Sequence, residues 1–265
     1  VLPYEWGQAA APEDVAKALA ADSAIKAVLV THNETSTGVT NPLEEIARVV
    51  RQTDRLLLVD AVSSLGAIPL DTDGWGLDAV VTGSQKGWMV PPGLAFVCLS
   101  ERAWKANESA RMPRFYFDAA KHRDLLHKGQ TPWTPTVSVF FGLDVALERM
   151  AVEGLESIHA RHAAIARIVR ERVKALGLEL LAADERYASS TVTAIKCPEG
   201  VEVKALRTML EDEHGVVVAG GQGKLAGKIF RIGHLGLVSE DDIRHALDAL
   251  SEALPRVGFN IPVGR

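Results

Sequence analysis

Apolar and polar positions alternate along this chain in two rhythms. Near the start, Pro12 followed by Glu13 and Asp14 opens a helix in the first-turn arrangement of proline and acids, which runs through Leu19. AVLVTH (27–32), LLLVDA (56–61) and AVVTGS (79–84) are short, wholly apolar runs, and Leu43, Ile46, Ala47 and Val50 mark one face of a helix starting near Pro42. Apolar strands alternating with helices predict a parallel sheet covered on both faces. LAFVCLS (94–100) returns after only a PPG turn, too short for a crossover, so it is expected to run antiparallel to its predecessor.

After TPWTPT (131–136) the rhythm changes. Residues 137–151 read as helix, and Leu155, Ile158, His162, Ile165, Val169, Val173 and Leu176 recur at spacings of three and four, predicting one long amphipathic helix. Strands are expected at LELLA (178–182), TVTAIK (191–196), VVVAG (216–220) and IFRIG (229–233), with a helix over 203–213 and a last helix capped by Ser239 and Asp242. This half reads as α+β, with helices on one side of a small antiparallel sheet. The boundary is placed at residue 136, giving a large domain over 1–136 and a small one over 137–265.

Composition narrows the function classes. With 47% hydrophobic and 24% charged residues the chain folds around a sizeable core. A formal charge of −5 without a run of Lys or Arg leaves no footprint for nucleic acid or an anionic membrane. No apolar stretch approaches a bilayer span. Cys98 and Cys197 are isolated, making neither a disulfide framework nor a metal knuckle, and a reducing cytoplasm fits them.

In an open α/β sheet the ligand crevice lies beyond the carboxyl ends of the strands. Three strands deliver polar residues there: His32 to Thr37, Asp60 to Ser64, and Ser84 to Lys86. An amine and a carboxylate offered at one edge suit pyridoxal 5'-phosphate, with Lys86 as the neutral amine for the aldehyde and Asp60 as the partner that keeps the pyridine nitrogen protonated. The plain alternatives are a surface lysine with its stem on the core and a loop-closing aspartate.

HNETSTGV, LLLVDAVSSLG, TGSQKGW followed by PPGLAFV, GQTPWTP and FRIGHLG, in that order, resemble the motifs of class V aminotransferases of fold type I, especially the alanine or serine:glyoxylate branch. The resemblance implies a mostly parallel large-domain sheet with helices on both faces and a smaller α+β domain. It implies Lys86 as the imine-forming lysine and proton shuttle, Asp60 as the ring-nitrogen partner, Val62 on one ring face and Thr35 near the phenolic oxygen. Gln85, with Ser84 as a second donor, would hold the phosphate, and Thr134 would reach the phosphate of the neighbouring subunit in a homodimer. Arg231 would clamp the substrate α-carboxylate. Relatives also carry an N-terminal arm, the first strands of the large sheet, a glycine-rich phosphate turn and a stacking aromatic residue, expected to be absent from this sequence.

The implied reaction moves an amino group from alanine or serine to a 2-oxo acid such as glyoxylate. Two other readings compete: a lyase of the cysteine desulfurase kind, and a non-catalytic truncated scaffold of the same fold. AGGQGKLAGK (219–228) does not meet the phosphate-loop spacing, because Val218 stands five before Gly223 and Leu225 follows Lys224. His159 and His162 share a helical face without a third ligand, so no metal site is expected, and no G-x-G-x-x-G follows a strand.

Overall fold

The computed structural model describes residues 1–262. Its first half is built on helix α1 (Pro12–Ala21), strand β1 (Ala27–Thr31), the two-residue strands β2 (Asn33–Glu34) and β3 (Val39–Thr40), helix α2 (Leu43–Val50), and strands β4 (Leu56–Asp60), β5 (Ala79–Gly83) and β6 (Ala95–Leu99). The sheet order is β1-β4-β5-β6; the first three strands are parallel and β6 is antiparallel to β5, as the short PPG turn requires.

Val15 and Leu19 of α1 and Leu43, Ile46, Ala47 and Val50 of α2 pack on Leu57, Val59 and Val80, forming the core on one sheet face. The other face departs from expectation. On that face Leu29 of β1 is 78% exposed, and the paired Val81 and Val97 of β5 and β6 are 38% and 59% exposed. Among the described residues no helix covers them, so the apolar runs that predict two-sided burial are buried on one side only.

Helices α3 (Glu101–Ser109) and α4 (Ala119–Leu126) follow, neither with a buried residue, and their N-termini are held by Ser100 and Asp118 side chains that accept from backbone N–H groups. Helix α5 (Val137–Glu153) seats Val139, Leu143 and Ala146 on Val90 of the β5–β6 connection. Helix α6 (Leu155–Ala175), strand β7 (Val192–Lys196), helix α7 (Val203–His214), strands β8 (Ala219–Gly220) and β9 (Ile229–Gly233), and helix α8 (Glu240–Arg256) complete the second half. The antiparallel order is β7-β9-β8. LELLA makes one bridge, Leu180 to Ile195, and no strand, and VVVAG shortens to β8. The capping box at Ser239 and Asp242 is formed.

Strand β9 divides its residues by face. Phe230 and Ile232 join the helix-side core with Val169, Leu206 and Leu250, while Arg231 and Gly233 turn to the opposite face. That face meets the first half across a polar seam. Asn33 Nδ2 donates to Ser63 Oγ (2.8 Å) and Thr191 Oγ1 (3.0 Å), and Thr191 Oγ1 donates to the Ser63 carbonyl (3.0 Å). All three side chains are buried and satisfied, so the seam fixes one relative placement of the two halves.

Candidate active site

The seam ends in a cavity of about 480 Å³ at the carboxyl edge of the parallel strands. Thr35, Ser63 and Lys86 line it from the first half, and Thr191, Arg207, Val218, Arg231 and Leu235 are among its walls from the second. Three cations and no carboxylate are in the lining. None of the ion pairs among the described residues involves Lys86, Asp60, Arg207 or Arg231.

Lys86 is placed by close backbone approach. It opens a turn closed by a hydrogen bond from Met89 N–H to its carbonyl (3.0 Å), and Met89 takes the left-handed conformation at φ 62°. Gly87 lies so near the β4 loop that a Cβ there would stand 2.4 Å from the Leu65 carbonyl oxygen, and Gly66, at φ +87°, faces it from that loop. On the other side, a Cβ at Gly236 would touch Met89. The turn is thus clasped between the β4 loop and the second half, which holds the root of Lys86 at the cavity.

Arg231 is 7% exposed. Its Nε donates to the Gly220 carbonyl (3.0 Å) and one Nη1 hydrogen to the Thr35 carbonyl (2.9 Å). A guanidinium carries five N–H donors, so about three remain for a ligand. Burial lowers its pKa, the carboxylate of Glu34 opposes that, and neighbouring Arg207 adds to it. Glu34 does not pair with Arg231, because its Oε1 accepts from the Ser36 N–H (2.8 Å) and hydroxyl (2.7 Å).

The other expected residues fall outside the cavity walls. Asp60 ends β4 on the open sheet face, exposed, with Oδ1 accepting from Val62 N–H at 2.9 Å. Val62 is half-buried, Gln85 and Thr134 are exposed. Ser84 is fully buried, and its hydroxyl donates to the Pro91 carbonyl (2.8 Å) and accepts from Leu94 N–H (3.2 Å). A hydroxyl has one proton, and here it closes the β5–β6 connection, so it is not free to donate to a phosphate. The sequence reading placed Ser63 at the strand edge without a role and missed Thr191 and Arg207; Thr191 reaches Asn33 across 158 residues, and no local signal announces it.

Of the two histidines singled out for metal spacing, His162 is engaged in the core. His162 takes the Gly236 N–H on Nε2 (3.0 Å), which leaves Nδ1–H to donate to the Ile158 carbonyl (2.8 Å). Among the described residues no group of three metal-ligating side chains occurs.

A lysine and a buried arginine meeting across the carboxyl edge of such a sheet belong to the class of fold type I pyridoxal-phosphate-dependent transferases. The class-V aminotransferase model matches residues 1–232. The chain is 48% identical over 96% of its length to the soluble hydrogenase small subunit of Synechococcus sp. strain PCC 6716, spanning 66% of that protein. It is 38% identical over its whole length to serine–glyoxylate aminotransferase of Methylorubrum extorquens, spanning 68% of it. The crystal structure of pyridoxamine–pyruvate aminotransferase from Mesorhizobium loti superposes with a TM-score of 0.94 at 36% identity, over 98% of this chain and 67% of that one. This chain belongs to the class-V aminotransferase family.

The family depends on pyridoxal 5'-phosphate. The donor set fits that group: among the described residues, Lys86 is an amine without an ion pair in a cavity walled by cations and hydroxyls, and the Asp60 carboxylate, at the strand end outside the cavity walls, is bonded only to a backbone N–H.

Proposed function

We propose that the chain is the catalytic framework of an aminotransferase that takes the amino group of a small amino acid, alanine or serine, and passes it to a 2-oxo acid such as glyoxylate. The observation that carries the reading is the meeting of Lys86, Thr35 and Arg231, 196 residues apart at the Thr35–Arg231 contact, in one cavity.

Lys86, Asp60, Val62, Thr35, Gln85 and, from a partner subunit, Thr134 would hold the cofactor. When bound, pyridoxal 5'-phosphate supplies an aldehyde that condenses with amines and a cationic ring that draws electrons from the substrate Cα. Arg231 holds the substrate carboxylate with its remaining N–H groups, a pairing to which a planar guanidinium is shaped. Lys86 Nζ, standing in a cavity without a competing carboxylate, takes the Cα proton and returns it. Asp60, whose carboxylate is oriented by the Val62 N–H, would be the partner of the ring nitrogen. The Asn33–Ser63–Thr191 seam keeps the two sets of groups in register.

The division of labour follows the chain: residues 1–136 carry the cofactor groups and 137–265 the substrate arginine, with α5 bridging them. A homodimer is supported by the exposed Phe115, Tyr116, Phe117, Phe140 and Phe141 around the Thr134 segment, a patch too apolar to stay in water. A cytoplasmic setting suits two unpaired thiols. A desulfurase reading needs a thiolate on a mobile loop, whereas Cys98 sits on β6 and burial raises the Cys197 thiol pKa.

The test is a half-reaction screen of the purified, cofactor-loaded protein against a panel of amino acids, read by visible absorbance and keto-acid release. Turnover with alanine or serine is expected, with Lys86→Ala lowering it by about 10² to 10⁴. An undiminished rate in Lys86→Ala overturns the reading.

A further inference from the structure

Arg207 is not needed for a small neutral substrate, yet it stands in the same cavity as Arg231. It projects from α7, and its Nε donates to the Val218 carbonyl at 2.8 Å. Arg231 is tied by Nε to the Gly220 carbonyl at 3.0 Å. Those carbonyls belong to Val218 and Gly220, two residues apart along the segment that leads into β8, so the two guanidinium groups are anchored within roughly 7 Å of each other. The absence of a side chain at Gly220 makes room: a Cβ there would stand 3.3 Å from Arg207 Nη1.

Two guanidinium groups so close repel unless an anion lies between them, and within the walls none does. The nearest acid to Arg231, Glu34, is spent on Ser36. One carboxylate satisfies Arg231. A second anionic group on the same ligand satisfies Arg207, and a four-carbon chain bridges anchors at this spacing.

We propose that Arg207 is a specificity residue that binds the second carboxylate of a short dicarboxylic amino acid or 2-oxo acid, while Arg231 holds the first. The inference rests on the aminotransferase reading for its catalytic meaning, and it adds a dicarboxylic partner for one of the two half-reactions. Donor and acceptor use the same cavity in turn, so a neutral donor and a dicarboxylic partner are compatible.

Binding to the cofactor-free protein tests it independently of turnover. Isothermal titration with succinate and with propionate is expected to show succinate bound at least tenfold more tightly at low salt. Arg207→Gln should bring that ratio to near one. Arg207→Lys, which keeps the charge but loses the bond to Val218, should retain part of the preference, and it serves where the Gln variant fails to fold. No preference in the wild-type protein overturns the proposal, as does an equal loss for both ligands in a folded variant. Inorganic phosphate is the control, and competition by phosphate as strong as by succinate would assign Arg207 to a phosphate instead. In turnover, Arg207→Gln should lower kcat/KM for aspartate relative to serine by at least tenfold. If serine reacts but that ratio does not move, this inference fails and the aminotransferase reading stands. If no amino acid reacts yet the dicarboxylate preference persists in binding, the aminotransferase reading fails and Arg207's role as a dicarboxylate binder stands.

Discussion

Lowering the pH from 7 to 5 should cost the fold about 4 kcal/mol, because two histidines must stay neutral inside it. His234 is fully buried; its Nδ1–H donates to the Ser190 carbonyl (3.2 Å) and its Nε2 accepts from the Thr193 hydroxyl (2.9 Å). Burial pushes its pKa down to about 3. His32, 3% exposed and edge-on to Trp75, has no partner for Nδ1, and burial pushes it down to about 4. In the unfolded chain both would take up a proton as the pH falls through about 6.5. The folded chain resists until pH 4 and 3. Stability is therefore full above the unfolded pKa and is lost as the pH falls, each histidine contributing a loss of about 2 kcal/mol by pH 5. Glu153, Glu185 and Glu213 are held below the ordinary carboxylate range, first by hydrogen bonds to Arg161, Lys174 and Arg256, so their share is lost only in more acid solution. Urea unfolding at pH 7, 6 and 5, followed by tryptophan fluorescence at constant ionic strength, reads the effect. His32→Phe should remove about half of the pH dependence. Equal stabilities at pH 7 and 5, or a full dependence surviving in His32→Phe, would refute the reasoning.

Gly87→Ala would drive a methyl against the Leu65 carbonyl and part the Lys86 turn from the β4 loop. A loss of about 1–3 kcal/mol in urea unfolding, together with weaker cofactor uptake by absorbance titration, is expected. Ser84→Ala leaves the Leu94 N–H and the Pro91 carbonyl without their buried partner, at a cost of about 1–3 kcal/mol in thermal unfolding, while cofactor affinity in the variant that remains folded stays close to wild type. Arg231→Lys keeps the charge but loses the fork and the tie to Thr35, so KM for the amino donor should rise at least tenfold, about 1.4 kcal/mol.

Much of the large sheet was legible because its strands are continuous apolar runs between turn residues, and the antiparallel β6 followed from loop length alone. The helices α3 and α4 were invisible to a search for apolar periodicity, since neither buries a residue; only the capping Ser100 and Asp118 mark them. LELLA and VVVAG have strand-like composition and alternating burial, with Leu178, Val216 and Val218 in the core of the α6–α7–α8 layer and Val217 exposed, yet LELLA forms only one bridge and VVVAG only the two-residue β8. The open face carrying Leu29, Val81 and Val97 shows a related limit: an apolar residue records that a face suits burial, not what lies against it. For the candidate site, Lys86, expected from edge position and motif, and Thr35 and Arg231, expected from the family resemblance, line one cavity. Arg207 was hidden because a lone arginine on an amphipathic helix reads as a solvated residue.

On the proposed role of Arg231, its two ties couple substrate binding to the seam between the halves. Its Nη1 bond to the Thr35 carbonyl spans the seam directly, and its Nε bond to Gly220 fixes the segment that also anchors Arg207. A carboxylate drawn to the remaining N–H groups therefore meets a fork already oriented by both halves, and little rotamer freedom is left to lose. The same ties mean that displacing the seam displaces the fork. Asn33, Ser63 and Thr191 touch no wall-to-wall ion pair, yet they set where Arg231 stands relative to Lys86. On the proposed reading, catalytic competence depends on the buried polar seam as well as on the lysine, because the amine and the guanidinium come from different halves and the seam helps to hold them to one cavity.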